Sequence, residues 1–369
     1  MNPLQALQRY GQSVWLDYIQ RSLIASGELQ RLVQEDGLRG VTSNPAIFEK
    51  AITGSTDYTS TLNGLRKEGK DAVAIYEHLA IQDIQDAADV LRAVYGNTGM
   101  RDGYVSFEVS PHLAHNTAGT IEEARRLWHA VGRENLMVKV PATPEGIPAI
   151  QQLIGEGINI NVTLLFAQEM YECVAEAYIA GLEALAARRG ELAKSASVAS
   201  FFISRIDTAV DAALNARLRT ATNASEQALL RSLMGKVAIA NAKLTYQRYL
   251  ELFRGPRWQA LADQGAQTQR LLWASTSTKN PQYRDVLYVE ELIGADTVNT
   301  MPPSTLEAFR DHGTLRASLT EDIAAAHDTM QNLAKAGISM QEITAKLLKE
   351  AVQLFAEPFD KLLSAVAMR

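Results

Sequence analysis

The chain has 369 residues, 47% of them hydrophobic and 21% charged, the composition of an ordinary soluble globular protein. With 36 basic against 42 acidic residues the formal charge is −6, and no dense Lys/Arg block stands anywhere, so nucleic acid is not an expected partner. No apolar run approaches the ~20 residues of a membrane helix, so a membrane is not one either.

The opening residues, MNPLQALQRYGQSVWLDYIQ, lack a basic region followed by an apolar stretch, the pattern of a secretory leader. We read the compartment as cytoplasm. Cys173 is the only cysteine, so no disulfide can form within the chain. It lies in the helical pattern FAQEMYECVAEAYIAGL and reads as a small core residue rather than a nucleophile.

Short β-rich runs recur along the chain: VWLDYI (14–19), GVTSNP (40–45), YVSFEV (104–109), LMVKVP (136–141), INVTLLF (160–166), SVASFFIS (197–204), LLWAST (271–276) and TVNTMP (297–302). Helical patterns separate them, such as TIEEARRLWHAVG, with acidic residues early and a closing glycine. Strand then helix, about eight times over with no hairpin signal, predicts a single (β/α)₈ barrel domain of TIM type. An open doubly wound sheet is the alternative, but no G-x-G-x-x-G follows the first strand. Residues 46–103 and 206–269 read as helical insertions, and 304–369 as C-terminal helices. In that tail Leu347, Leu348, Ala351, Leu354 and Phe355 fall on one helical face, which predicts packing against the outside of the barrel.

Side chains alternate faces along a strand, so parity sorts each run. Leu136, Val138 and Val140 oppose Met137 and Lys139. Val14 and Leu16 oppose Asp17. Val105, Phe107 and Val109 oppose Glu108. Ile160, Val162 and Leu164 oppose Asn161 and Thr163, and Val41 opposes Thr42 and Asn44. With the apolar parity against the helices, the polar parity faces the barrel interior near the strands' C-terminal ends, where such barrels do chemistry. The sixth and eighth runs do not sort cleanly.

Taken singly, each polar residue has an ordinary explanation. A strand lysine can snorkel to solvent, Asp17 can cap a helix, Asn44-Pro45 can be a turn, and Thr163 and Asn161 can bond neighbouring backbone. Five strands that all turn a polar group inward point instead to one shared site. A lysine among carboxylates there suits Schiff-base chemistry, because desolvation favours the neutral amine that attacks a carbonyl. The protonated imine is an electron sink for breaking an adjacent carbon–carbon bond, and Asp17 is suited to moving the hydroxyl proton.

At these residues the sequence resembles the transaldolases over nearly its whole length. The resemblance is carried by VWLDYI, GVTSNPAIF, LMVKVPAT, GININVTLLF, SFFISRID and WASTSTKN, in that order and spacing. It implies transfer of a dihydroxyacetone unit between sugar phosphates in the pentose phosphate pathway, with no cofactor and no metal. It further implies that Lys139 forms the Schiff base, that Asp17 accepts and returns the proton, and that Glu108 and Thr163 hold a relaying water. Asn44 and Asn161 would bind hydroxyls of the dihydroxyacetone portion, with Ser200 beside them, while Arg205 and Ser275 match phosphate-binding positions. The phosphate segment departs from the familiar form. Many members have an arginine two residues after the seventh-strand serine, where this chain has Ser277. Lys279 would supply the charge instead, as in a longer bacterial branch of the family. SPHLAHNT, after the third strand, also differs.

Other classes remain to be weighed. A lysine-dependent aldolase that cleaves without transfer differs in how its imine partitions between water and acceptor. A metal-dependent barrel is suggested by His112 and His115, yet no further histidine or carboxylate cluster stands at ligand spacing beside them. A non-catalytic binding barrel would have no need of Lys139 beside carboxylates. The oligomeric state is not legible.

Overall fold

In a computed structural model, which describes residues 2–368, each β-rich run forms a strand followed by a helical connection. Such connections return the chain to the same edge, so neighbouring strands pair in parallel and in sequence order. The strands are β1 (Gln12–Asp17), β2 (Gly40–Thr42), β3 (Tyr104–Glu108), β4 (Leu136–Pro141), β5 (Ile160–Leu165), β6 (Ser197–Phe202), β7 (Arg270–Ala274) and β8 (Thr297–Met301). They close into a barrel in which β8 pairs with β1.

The register carries the parity rule around the barrel. Asp17 pairs with Thr42, Thr42 with Ser106, Glu108 with Lys139, and Lys139 with Asn161. Residues that share a register row point to one side of the sheet, so these polar groups share the interior. The opposite parity, including Val14, Val41, Val105, Val138 and Val162, is fully buried against the helix layer. Gly40 is required where it stands: a Cβ there would lie 2.4 Å from the Trp15 ring, which fills the lower interior.

Three local readings are corrected. Leu164 does not continue the alternation of β5. It takes a left-handed φ of 62°, and the register with β6 shifts between Val162 and Leu165, a bulge beside the barrel's mouth. Cys173 is exposed, on the outer face of the helix Gln168–Ala187. The last helix, Met340–Met368, does not lie against the barrel's outside: Phe355 enters the pocket at the strands' C-terminal ends. Leu347, Ala351 and Phe355 are buried there, whereas Leu354 is 46% exposed.

The opposite, N-terminal end is closed by a buried ion network. Arg270, 3% exposed, donates to Asp102 Oδ1 at 2.9 Å, to Ser13 Oγ at 2.8 Å and to the Arg101 carbonyl at 2.5 Å. Ser13 Oγ and Trp15 Nε1 donate to the same carboxylate. Burial acts to raise the Asp102 carboxyl, but the Arg270 charge and these hydrogen bonds outweigh it and hold it below its ordinary value.

Removing one member of such a pair leaves an uncompensated buried charge. Asp102→Ala should therefore cost about 3–5 kcal/mol of unfolding free energy in chemical denaturation. Because the network lies at the far end of the strands, activity per folded molecule should stay near wild type.

Candidate active site

The pocket at the C-terminal end of the barrel encloses about 190 Å³. Its wall comes from seven strands and the turns behind them: Asp17, Thr42 and Asn44, Lys139, Thr163, Ser200 and Phe202, Ala274, and Thr300. Arg205, Ser275, Ser277 and Lys279 stand at its outer end, and Phe355 reaches in from the last helix.

Lys139 is 5% exposed. Its ammonium donates to the Ser43 carbonyl at 2.9 Å and lies 3.4 Å from Glu108 Oε2. Phe355 faces it, with 5.8 Å from Nζ to the ring centroid. Hence the lysine in the apolar strand is neither snorkelling nor alone: β3 and the turn after β2 each bring it a partner.

Asp17 accepts from Thr42 Oγ1 at 2.7 Å, and Thr42 Oγ1 is 2.7 Å from Thr300 Oγ1. A hydroxyl has one proton to give. If Thr42 donates to Asp17, Thr300 must donate to Thr42, and this chain of donors orients the carboxylate. Burial raises the Asp17 carboxyl above its ordinary range, and the charge of Lys139, the Thr42 hydrogen bond and the charge of Lys279 reverse this only in part. Glu108 is likewise raised, first by burial, with Lys139 opposing and Asp17 adding to it. Two carboxyls biased toward holding a proton thus flank one amine, the kind of perturbation that marks a reactive site.

Glu108 Oε2 and Thr163 Oγ1 are both buried and make no hydrogen bond to the described residues. Asn161 sits behind the wall rather than on it. Its amide donates to Ser106 Oγ at 3.0 Å, and its carbonyl accepts from Ser200 Oγ at 2.6 Å, so the surface it supports is Ser200. Asn44 caps the helix Pro45–Gly54 by accepting from the Ile47 N–H at 3.0 Å, with proline at the first turn. That leaves the NH₂ end of the carboxamide to donate into the pocket.

The outer end is cationic. Burial lowers the Arg205 guanidinium from its ordinary value. Lys279 is lowered by desolvation and by Arg205, with Asp17 opposing, and it donates to Ser277 Oγ at 2.7 Å. The helix Ser204–Leu218 begins here without a side-chain cap. Ser275 holds a left-handed φ of 56°, rare for a residue with a Cβ and the kind of strain that concentrates at functional sites. Its hydroxyl lies 2.9 Å from Ser204 Oγ. Past Arg205, Ser275 and Lys279 the pocket continues into a hollow of about 680 Å³ beside Lys346 and Leu347.

Five polar or aromatic side chains of the wall or its supports were not read as site residues from sequence. Thr42 carried the signal, since it shares Asn44's parity. Ser106 shares Glu108's parity and went unused. Thr300 was hidden because β8 also has polar groups facing outward: Thr297 accepts from Gln12, and Asn299 accepts from Thr276. Phe202 sits in a strand apolar on both parities, and Phe355 lies far along the chain on a helix expected elsewhere. His112 and His115 turn to separate surface carboxylates, Asp360 at 2.8 Å and Glu145 at 3.1 Å.

The family model of transaldolase/fructose-6-phosphate aldolase matches residues 14–366. The chain is 47% identical over 367 residues to a transaldolase of Trichodesmium erythraeum, covering 99% of this chain and 97% of that one. It is 46% identical over 366 residues to a transaldolase of Thiobacillus denitrificans, covering 99% and 100%. With a transaldolase of Neisseria gonorrhoeae it shares 43% identity over 364 residues, 99% of each.

The raised Asp17 carboxyl has a cost that can be measured. Well below the unfolded chain's pKa both states hold the proton and there is no penalty. As pH rises the unfolded chain ionises first, so the folded state loses stability until its own, higher pKa is passed. Asp17→Asn keeps an acceptor for Thr42 and removes that penalty. Its Tm should exceed wild type by roughly 1–3 °C at neutral pH. The difference should vanish toward about pH 3.

Proposed function

The chain belongs to the transaldolase/fructose-6-phosphate aldolase family, and from that premise we infer how its residues divide the work of a transaldolase. The protein transfers a dihydroxyacetone unit through a lysine imine, from a ketose phosphate (sedoheptulose 7-phosphate or fructose 6-phosphate) to an aldose phosphate (glyceraldehyde 3-phosphate or erythrose 4-phosphate). This reaction belongs to the non-oxidative pentose phosphate pathway.

In our reading Lys139 attacks the ketose C2 carbonyl, and loss of water leaves a protonated imine. Asp17 takes the proton from the C4 hydroxyl, the C3–C4 bond breaks, and its electron pair flows into the imine. The aldose phosphate leaves as an aldehyde. The three-carbon enamine on Lys139 then adds to the incoming aldehyde, and Asp17 returns the proton. The observation that carries this reading is the placement of the Lys139 ammonium: buried, 3.4 Å from Glu108, and in one pocket with the Thr42-oriented Asp17.

Glu108 Oε2, which has the Lys139 ion pair but no hydrogen bond, and Thr163 Oγ1 are suited to share a water, since buried polar atoms without a hydrogen bond take one from water or substrate. Such a water would relay protons while the carbinolamine forms and collapses. Asn44 and Ser200 would hold the hydroxyls of the three-carbon unit, with Asn161 acting through Ser200. Arg205 offers the phosphate a planar fork of donors, and Lys279, Ser275 and the uncapped start of helix Ser204–Leu218 add to it.

Lys139→Met should abolish transfer while the fold persists, because Glu108 can take up a proton once its partner is gone. Asp17→Asn should lower kcat by roughly 10²–10⁴. Near-wild-type turnover of a folded Asp17→Asn protein would leave Asp17 a structural group only.

Lys279→Ala should raise KM for phosphorylated donors far more than it lowers kcat, since phosphate contact is alike in ground and transition states. Weak turnover of unphosphorylated ketoses should be nearly untouched. Equal losses on both substrate types would leave the phosphate to Arg205.

A further inference from the structure

The residues lining the pocket come from the barrel strands, the turns behind them and, for Arg205, the first turn of the helix that follows β6; one further residue comes from elsewhere. Phe355 arrives from the last helix, Met340–Met368, and is 6% exposed with its ring over the Lys139 ammonium. An aromatic face within about 6 Å of a cation attracts it. It also excludes water from that side of the amine.

The helix holds Phe355 there by anchors on its far side. Phe359, one turn on, packs edge-on against Tyr76 at 5.4 Å, and Asp360 pairs with His112 at 2.8 Å. Arg66 Nε donates to the Val366 carbonyl at 2.9 Å. Pro358 has no N–H to give the Leu354 carbonyl, so the helix is interrupted in its hydrogen bonding one turn around Phe355, a place where helices bend. The phosphate hollow opens elsewhere, beside Ile343, Lys346, Leu347 and Glu350, on turns before Phe355. Aldehydes can thus exchange past Arg205 and Lys279 while the ring stays over the imine.

We propose that Phe355 is a specificity-determining residue: its ring shields the three-carbon intermediate on Lys139 from water and so makes the protein a transferase rather than a simple aldolase. The proposal rests on the assignment of the imine to Lys139. Once the first aldose has left, the enamine has two fates. In transfer, C3 forms a bond to the acceptor aldehyde. In hydrolysis one water is consumed: one hydrogen ends on C3, the oxygen on C2 and the other hydrogen on Nζ, as the C2–Nζ bond breaks. That releases free dihydroxyacetone and the Lys139 amine. Truncating Phe355 removes the apolar cover from the atoms that water must reach, without touching the groups that orient the acceptor.

The test is a partition ratio on the full-length protein with fructose 6-phosphate. Dihydroxyacetone release without acceptor is divided by transfer to erythrose 4-phosphate, for wild type, Phe355→Ala and Phe355→Leu. Phe355→Ala should raise the ratio by about tenfold, and Phe355→Leu, which keeps an apolar cover, by less. Borohydride should still fix the three-carbon unit on Lys139 in all three. An unchanged ratio in a folded Phe355→Ala protein, with Lys139 still labelled, overturns the role of Phe355 and leaves the lysine assignment standing. Absence of label on wild-type Lys139 overturns the assignment itself, and the proposal with it. Should Phe355→Ala not fold, Phe355→Leu decides: a raised ratio supports the shield, and a wild-type ratio overturns it.

Discussion

An ammonium cannot be buried in a barrel without something to meet it, and the arrangement around Lys139 follows from that requirement. The Ser43 carbonyl meets it from the turn after β2 and the Glu108 carboxyl from β3. Both partners depend on register. A one-residue slip of β3 would turn Glu108 outward and bring Phe107 or Val109 in, and would leave the lysine with a single partner. Burial of the same cluster raises Asp17 and Glu108, so the packing that holds the lysine also prepares both carboxyls to hold and give protons.

The two ends of the barrel use buried charge differently. At the N-terminal end Arg270 and Asp102 are fully hydrogen-bonded to each other and to Ser13, Trp15 and backbone, and the carboxyl is held ionised. At the C-terminal end the charges are incompletely matched. Glu108 and Thr163 keep buried oxygens without a hydrogen bond, and the like charges of Arg205 and Lys279 line the same outer end. A locked base and an underfilled top is the division expected when stability and chemistry are assigned to opposite ends of the strands.

The barrel was legible because all eight strands announce themselves as short β-rich runs between helical patterns, with bounds within a few residues of those observed. Five inward polar groups were legible by period-two parity alone. Parity failed where its assumption failed. The bulge at Leu164 breaks alternation, and β8 carries polar residues on both faces because Thr297 bonds Gln12 of β1 and Asn299 bonds Thr276 beyond β7. Asn161, read as a hydroxyl ligand, bonds Ser106 and Ser200 behind the pocket wall, a detail of side-chain hydrogen bonding that spacing does not encode. Phe355 was read correctly as buried and placed on the wrong surface. An apolar helical face says that something is covered, and not what.

The central claim is that Lys139 carries the substrate and that Asp17 faces the carbon where the bond breaks. A crystal structure of the protein soaked in fructose 6-phosphate and reduced in place tests it most directly. The account predicts continuous density from Lys139 Nζ to C2 of a three-carbon unit, with the C3 end toward Asp17 and the hydroxyls toward Asn44 and Ser200. Density joined to another lysine, or a sugar bound without a covalent link while the enzyme turns over, would contradict it.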